Sequence, residues 1–346
     1  MNYGTVTSYL SSAALAPRPS LQQRFVMLVK SSRPPGWMFG PILYGVGVIH
    51  SGVIPKSTGA LTISAVQIAT LGFPLCIGEF KALYHFQEKF TFLPVVFGIN
   101  DIHDYKSDVL NPRKSVTSLE GTVLPPAHHD FVQKSAITSS VVIILVSMTP
   151  TSYILSGNEL EATWQLYSPA LSTILLVTLG WVYSAPPLRL KEMPVIDSIS
   201  NGLIVWLSCF VGFTSVRVMM GNLDWGLVDI PTKSYMLGLV TASVHALGAA
   251  ADIEADIAVG QRTIATRIGR RGCALIAAVT YTAALATESS VSIFGAYLFG
   301  GLVIILSACI NPSPTWMHRA FQAVVYWTIV SAVVWFGAHF GEILST

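Results

Sequence analysis

Long apolar stretches alternate with short polar connections along most of the chain. A helix needs about 20 mostly apolar residues to cross the hydrocarbon core of a bilayer, and many of these stretches approach or reach that length. The pattern therefore predicts an all-α, polytopic membrane protein with about nine spans in the lipid bilayer. The predicted spans cover residues 36–54, 62–100, 132–155, 167–184, 196–217, 235–251, 273–288, 291–310 and 321–340.

The predicted span at residues 62–100 is too long for one straight helix, because at about 1.5 Å per residue it would extend about 58 Å. Pro74 and Pro94 favour breaks, and charged side chains between residues 79 and 89 interrupt the apolar pattern. We expect one net crossing with a kinked or interfacial portion, and two crossings are the alternative.

Basic residues cluster in alternate connections. If the N-terminus lies in the cytosol, Lys and Arg concentrate in the inner connections, which cover residues 101–131, 185–195, 252–272 and 311–320. The outer connections contain few basic residues, Lys56 and Lys233, with Arg217 at a span end, so the basic residues cluster on one side as the positive-inside rule requires. Both acidic motifs described below lie at inner ends of spans, so we expect a site that faces the cytosol.

Residues 1–30 begin with a stretch rich in Ser, Ala and Pro over residues 1–24, which has no long apolar segment and so does not form a clean secretory signal. We expect a mobile cytosolic tail there, followed by one membrane domain over residues 31–346. A basic, Ser-rich tail is compatible with an endomembrane or a mitochondrial membrane, and we expect the endomembrane.

The amino-acid composition excludes further classes of protein and of site. The chain has 52% hydrophobic and 11% charged residues, whereas a soluble domain has about 25% charged residues. A net charge of +2, with no basic stretch interleaved with aromatics, argues against nucleic acid. The four cysteines are far apart and form no CxxC, which argues against a zinc site or a disulfide framework.

The first acidic motif runs from Asn100 to Asp108. On a helix, Asn100 or Asp101, then Asp104 and then Asp108 lie on successive turns of one face. Carboxylates stacked in this way repel one another unless a cation lies between them. Hard oxygen ligands of this kind suit Mg2+, which commonly bridges protein carboxylates to a substrate phosphate.

The second acidic motif contains Asp252 and Asp256, which lie one helical turn apart. Glu254 points about 200° away from them on an ideal helix and is the weaker candidate. Either motif alone is also compatible with a solvated helix end. Ionisable groups near membrane depth are costly and tend to mark function, so two motifs on one side favour a metal site.

Basic residues near both motifs suit a polyanionic ligand held through metal ions, because Arg and Lys bind phosphate oxygens directly. The alternative for each is an ordinary charge of an inner connection. The candidates are Arg33, Arg113, Lys114, Arg189, Lys191 and Arg262.

A third segment, Tyr183 to Lys191, ends a predicted span. Its two prolines terminate the helix and would bring Arg189 and Lys191 to the membrane surface. The Tyr183 hydroxyl could reach a diphosphate oxygen, or the ring could be an interfacial aromatic.

Together these residues resemble the motifs of the UbiA superfamily of intramembrane prenyltransferases, which have NDxxDxxxD, a second DxxxD and a Tyr-to-Lys segment between them. The resemblance covers roughly residues 29–272. The stretches GINDIHDYKSDVLNPRK and YSAPPLRLKEMPVIDSISNG are most similar to the branch that includes lycopene elongases.

The resemblance implies a bundle of nine transmembrane helices around a central cavity, and Mg2+-dependent ionisation of an isoprenyl diphosphate. The positions that match the family's metal ligands are Asn100, Asp101, Asp104, Asp108, Asp252 and Asp256, and Asp101, Asp104, Asp252 and Asp256 are the expected catalytic residues. The positions implied as diphosphate contacts are Arg113, Lys114, Tyr183, Arg189 and Lys191.

Ionisation would leave an allylic cation that needs a water-poor apolar wall. Four aromatics could stabilise it by cation–π contact, with ordinary packing as the alternative: Trp181, Trp206, Phe213 and Tyr235. We expect transfer of the prenyl group to a lipophilic acceptor, either aromatic or polyene. A cyclase of the same superfamily acting on farnesyl diphosphate or a related diphosphate is the alternative, and a membrane transporter is a more remote one.

Overall fold

The computed structural model describes residues 19–31, 39–55, 57–72, 96–109, 123–157, 161–288 and 291–345. Within these ranges the chain is helical and contains no β-strand, as the apolar pattern predicts. The α-helices are α1 (Leu21–Ser31), α2 (Phe39–Ile49), α3 (Thr58–Gln67), α4 (Val96–His103), α5 (Tyr105–Asp108), α6 (His129–Ser147), α7 (Thr149–Leu155), α8 (Trp164–Ser184), α9 (Ile196–Met219), α10 (Thr232–Ala251), α11 (Ile253–Val259), α12 (Ile264–Ala286), α13 (Ile293–Ile310) and α14 (Pro314–Ser345).

Six helical segments are long and apolar enough to cross a membrane, which confirms the prediction of an integral membrane protein. These segments are Pro126–Leu155, Trp164–Ser184, Ile196–Met219, Thr232–Ala251, Ile293–Ile310 and Pro314–His339. α2 and α3 are shorter apolar helices. Residues 73–95 of the predicted 62–100 span lie outside the described residues, so the count of about nine stays a prediction.

α9 is the most deeply buried of the six spans, and it contacts α2, α8 and α10. Small residues allow its backbone to approach α2 closely. A Cβ atom on Gly47 would collide with the Cys209 carbonyl, and one on Gly212 would collide with the Tyr44 carbonyl. Packing of this kind, rather than the hydrophobic effect, holds helices together in a bilayer.

α8, α9 and α10 bring three chain segments to one end of the bundle. α9 packs against both neighbours, and α8 ends, α9 begins and α10 ends on the same side because consecutive spans are antiparallel. We call this side the motif end, because α11, with the second acidic motif, follows α10 there. α12, α13 and α14 form a second core with α10, in which Leu247, Tyr281 and Leu298 are fully buried.

The segment predicted as a mobile tail differs from the expectation at residues 21–30. These residues belong to α1, and Leu28 is buried against Leu124 and Val132. The last residue of α1, Ser31, hydrogen-bonds to Asp101 of the first acidic motif. The end of the predicted tail is therefore a helix packed next to that motif, while residues 1–18 lie outside the described residues.

Candidate functional site

The first acidic motif lies across a break between two helices. Asp104, with φ −96° and ψ 2°, separates α4 from α5. Helical hydrogen bonds continue across the break, because the Asp104 amide donates to the Asn100 carbonyl over 2.9 Å and the Asp108 amide donates to the Asp104 carbonyl over 2.8 Å. Asn100, Asp104 and Asp108 therefore keep the one-turn spacing that the sequence predicts.

The second acidic motif has the same local geometry. Asp252, with φ −103° and ψ 1°, separates α10 from α11, and the Asp256 amide donates to the Asp252 carbonyl over 2.9 Å. α11 contacts α5, so the two motifs meet at the motif end. Two acidic segments that are far apart in the sequence thus come together, which a shared site requires.

Asp104 joins the first motif to the third segment. Lys191 Nζ donates to Asp104 Oδ1, and Arg189 Nη2 lies 3.8 Å from the same oxygen. Lys191 is buried and does not lie at an open surface as predicted. Burial lowers the pKa of the Lys191 ammonium, and the Asp104 carboxylate opposes that shift. The pair is a desolvated ion pair, in which loss of one partner leaves a costly buried charge.

Two further motif side chains are tied to neighbouring segments. Asn100 Nδ2 donates to Ser184 Oγ over 3.2 Å, which links the first motif to the end of α8. Ser31 Oγ donates to Asp101 Oδ2 over 2.9 Å, and Asp101 is fully buried. The first motif is therefore held by α1 on one side and by α8 on the other.

Glu254 and Asp256 have different partners, as their positions on different faces of the helix predict. Glu254 forms an ion pair with Arg270, and this hydrogen bond lowers the pKa of Glu254, whereas Asp256 accepts a 3.2 Å hydrogen bond from Thr263. Arg262 is exposed, and within the described ranges it forms no ion pair. Three other predicted diphosphate contacts lie outside the described residues: Arg33, Arg113 and Lys114.

A polar network that the sequence did not predict lies beside Tyr183. Tyr183 Oη is 2.9 Å from His245 Nε2, and Ser198 Oγ is 3.2 Å from His245 Nδ1. Asp197, fully buried, accepts a 2.7 Å hydrogen bond from the Ile264 amide. One signal was available, since His245 and Asp197 are ionisable residues inside predicted spans, where such residues tend to be functional.

The donor set at the motif end has the chemistry of a Mg2+ site. It consists of carboxylate and amide oxygens, which are the ligands that Mg2+ prefers, and Mg2+ usually keeps several waters and a substrate phosphate in addition. Within the described part of the chain, no three acidic, histidine or cysteine side chains are grouped as a metal site by themselves. The fit to Mg2+ therefore rests on the chemistry of the oxygen donors.

The aromatic side chains predicted to face a cation differ in position. Trp181 lies two residues before Tyr183 and donates to Ser140 Oγ over 3.1 Å. Tyr235 is 17 residues before Asp252, or about 25 Å along α10, and Phe213 stacks under Arg217 at 5.0 Å near the opposite end of α9. For Tyr235 and Phe213, ordinary packing is therefore the better interpretation.

Known proteins are similar to this chain in sequence and in fold. No protein-family model matches the chain. A lycopene elongase/hydratase of Corynebacterium glutamicum is 27% identical over 271 residues, which are 76% of this chain and 80% of that protein. The apo structure of a UbiA homologue from Aeropyrum pernix K1 aligns with a TM-score of 0.60 and 14% identity, over 86% of this chain and 96% of that one.

A second solved structure, a UbiA homologue from Archaeoglobus fulgidus bound to GPP and Mg2+, aligns with a TM-score of 0.51 and 19% identity. The alignment covers 89% of this chain and 98% of that one. At these identities the structures establish the shared fold, and the C. glutamicum relative adds similarity in sequence. The predicted resemblance is therefore confirmed: this chain has the fold of the solved UbiA homologues, and its sequence is similar to that of a lycopene elongase/hydratase.

Proposed function

We propose that this protein is a Mg2+-dependent intramembrane prenyltransferase that ionises an isoprenyl diphosphate and transfers the prenyl group to a lipophilic polyene acceptor. One observation carries the proposal: both acidic motifs and the basic end of the third segment converge at the motif end. Carboxylates for a metal and cations for phosphate in one place are the groups that diphosphate ionisation needs.

In the proposed site, the two motifs hold Mg2+ through Asn100, Asp101, Asp104, Asp108, Asp252 and Asp256. Bound Mg2+ would stabilise the negative charge that develops on the leaving diphosphate. Arg189 and Lys191 would donate to phosphate oxygens, whereas the Tyr183 hydroxyl lies 2.9 Å from His245 Nε2. Lys191 now neutralises Asp104, and its movement to a phosphate oxygen would leave that carboxylate available to the metal.

The surrounding helices supply the second requirement, an environment with little water. The motif end continues into a bundle in which α9 is largely buried, and a water-poor wall protects a carbocation from premature capture. The C. glutamicum relative is named for lycopene elongation, and the A. fulgidus homologue was solved with GPP and Mg2+. These names support a prenyl diphosphate donor and favour a polyene acceptor over intramolecular cyclisation.

The direct test uses the purified full-length chain with Mg2+, dimethylallyl or geranyl diphosphate, and lycopene as the acceptor. We expect diphosphate release and an elongated carotenoid, both abolished by EDTA. Asp104→Asn and Asp252→Asn should each reduce turnover by at least about 100-fold while the protein still purifies as a folded monodisperse species. Turnover in EDTA, or full activity in either variant, would overturn the metal site. A cyclic product made without an acceptor would favour the cyclase.

We also propose that the motif end faces the cytosol of an endomembrane, because the basic connections lie on that side. Arg262 is exposed at the motif end, and Val291 is exposed between α12 and α13 at the other end. In intact vesicles of that membrane with the cytosolic face outside, an impermeant maleimide should label Arg262→Cys and leave Val291→Cys unlabelled, with the unsubstituted protein as background. The reverse labelling would contradict this orientation.

A further inference from the structure

Three spans share a partly buried polar chain that the proposed ionisation step does not use. His245 of α10 lies between Tyr183 of α8 and Ser198 of α9, with contacts of 2.9 Å at Nε2 and 3.2 Å at Nδ1. Asp197, next to Ser198 in the chain, accepts one hydrogen bond from the Ser198 amide and one from the Ile264 amide, each over 2.7 Å. Asp197 is fully buried, and its neighbour Ser198 contacts His245.

This chain of polar groups lies beside the diphosphate site and outside its set of metal ligands. Tyr183 immediately precedes Ser184, which accepts a 3.2 Å hydrogen bond from Asn100 of the first motif. His245 lies seven residues before Asp252, which is about 10 Å along α10. The Tyr183 hydroxyl is therefore the link between His245 and the region where the substrate would react.

A purely structural role, in which hydrogen bonds hold the helices together, would explain the contacts of His245 with Tyr183 and Ser198. It would not explain why a histidine and an aspartate stand at these positions. Serine and tyrosine hydroxyls can bridge helices by themselves, whereas an imidazole and a carboxylate inside apolar spans are costly. A neutral imidazole can accept a proton, and a nearby carboxylate stabilises the imidazolium that forms. The combination therefore suits proton transfer better than adhesion between helices.

We propose that His245, acting through the Tyr183 hydroxyl, accepts the proton that ends the transfer reaction, an inference that rests on the proposed function. When the donor C–O bond breaks, its electron pair leaves with the diphosphate. The π electrons of the acceptor alkene form the new C–C bond and leave a tertiary carbocation. The adjacent C–H bond then supplies the electrons of a new alkene.

The lost proton passes to the Tyr183 oxygen as the Tyr183 proton passes to His245 Nε2. This route requires the tautomer in which His245 Nδ1–H donates to Ser198. Asp197 stabilises the imidazolium, which releases its proton to water as the products leave. Without the relay, the same carbocation persists until water attacks it, and the product is a tertiary alcohol. His245 is thus a positioning residue that decides between an unsaturated and a hydrated product.

The test measures whether each turnover ends in loss of a proton or in addition of water. The purified full-length chain is incubated with Mg2+, dimethylallyl diphosphate and lycopene, and the unsaturated and hydrated products are separated by mass spectrometry while diphosphate release is followed in parallel. His245→Gln should lower the ratio of unsaturated to hydrated product by at least about tenfold, because a positioned base contributes roughly 10²–10⁴-fold. Diphosphate release per folded enzyme should fall by much less, since the motifs are intact.

Two further variants separate a proton relay from a packing role. Tyr183→Phe keeps the ring and should shift the product ratio in the same direction. His50→Gln is the matched control, because His50 stacks on Trp335 at 5.7 Å, away from the motif end, and it should leave the ratio unchanged. A product ratio is measured per turnover, so partial unfolding of a variant lowers the yield without imitating the shift.

An unchanged ratio in His245→Gln, or a wild-type product that is already fully hydrated, would overturn the role of His245 alone. Wild-type protein that releases no diphosphate under these conditions would overturn the proposed function, and this inference with it.

Discussion

Replacing Lys191 by methionine separates two roles of this side chain that have opposite consequences. Lys191 is buried and hydrogen-bonded to Asp104, and the proposed mechanism moves it to a phosphate oxygen. A hydrogen bond to a charged group contributes about 1.5–3 kcal/mol, and each 1.36 kcal/mol changes a rate tenfold. Loss of the phosphate contact should therefore reduce kcat/KM for the prenyl diphosphate by about 10- to 150-fold.

The same substitution removes a competitor for the metal. In the ligand-free protein the Lys191 ammonium occupies Asp104 Oδ1, while Arg189 stays 3.8 Å from that oxygen. Without the ammonium, a divalent cation no longer has to displace it. We expect Lys191→Met to bind Mg2+ more tightly in the absence of diphosphate, in an isothermal titration on detergent-solubilised protein, although its turnover is slower.

The two measurements together, Mg2+ binding and kcat/KM, distinguish general damage to the site from an exchange of partners at Asp104. General damage to the site would weaken both Mg2+ binding and kcat/KM, and only exchange of partners at Asp104 strengthens one while weakening the other. Lys191→Arg keeps the charge and is the matched control, with a smaller effect on both. A kcat/KM within threefold of wild type, or weaker Mg2+ binding in Lys191→Met, would contradict the proposed role.

Three other outcomes follow from particular contacts. Gly212→Val should lower the midpoint of thermal unfolding in detergent, because overpacking against the Tyr44 carbonyl costs about 1–3 kcal/mol; an unchanged midpoint would contradict the close helix crossing. Glu254→Gln should leave turnover unchanged, because Glu254 is paired with Arg270; a loss as large as that of Asp252→Asn would place Glu254 in the site. The pKa of Glu254 is lowered in the folded protein. Ionised Glu254 therefore stabilises the fold above the unfolded-state pKa, and this stabilisation is lost as the pH falls through the folded-state pKa. Glu254→Gln should accordingly make stability less dependent on pH on the acid side only. Mg2+ with geranyl diphosphate at 100 times its Kd should stabilise the protein by about 2.7 kcal/mol, seen as a higher unfolding midpoint, and EDTA should remove that increase; no increase would count against binding.

The sequence predicted those features that depend on local periodicity. Span positions follow from runs of apolar residues, and α9 begins at Ile196 as the predicted 196–217 span does. The one-turn spacing of the acidic residues survives even across the break at Asp104, because the helical hydrogen bonds continue there. The end of α8 at Ser184, just before two prolines, follows from their effect on the backbone.

Features that depend on contacts between distant segments could not be predicted in this way. The Lys191–Asp104 pair joins residues 87 positions apart, and no periodicity indicates that a lysine in an inner connection turns inward. The packing of Leu28 against Leu124 and Val132 likewise joins α1 to the start of α6. Both contacts depend on how the helices are arranged, which a pattern along one segment does not contain.

The Lys191–Asp104 pair also explains how an acidic site can be stable at membrane depth before any ligand binds. Carboxylates near a bilayer are costly when uncompensated, and at Asp104 the chain supplies its own cations from the third segment. Removing one partner of a buried pair would leave an uncompensated charge. A ligand that brings both a divalent cation and phosphate oxygens replaces both partners together, with the cation for Asp104 and the phosphate for Lys191. A free cation or a free phosphate replaces only one, so the pair favours a ligand in which metal and diphosphate arrive together.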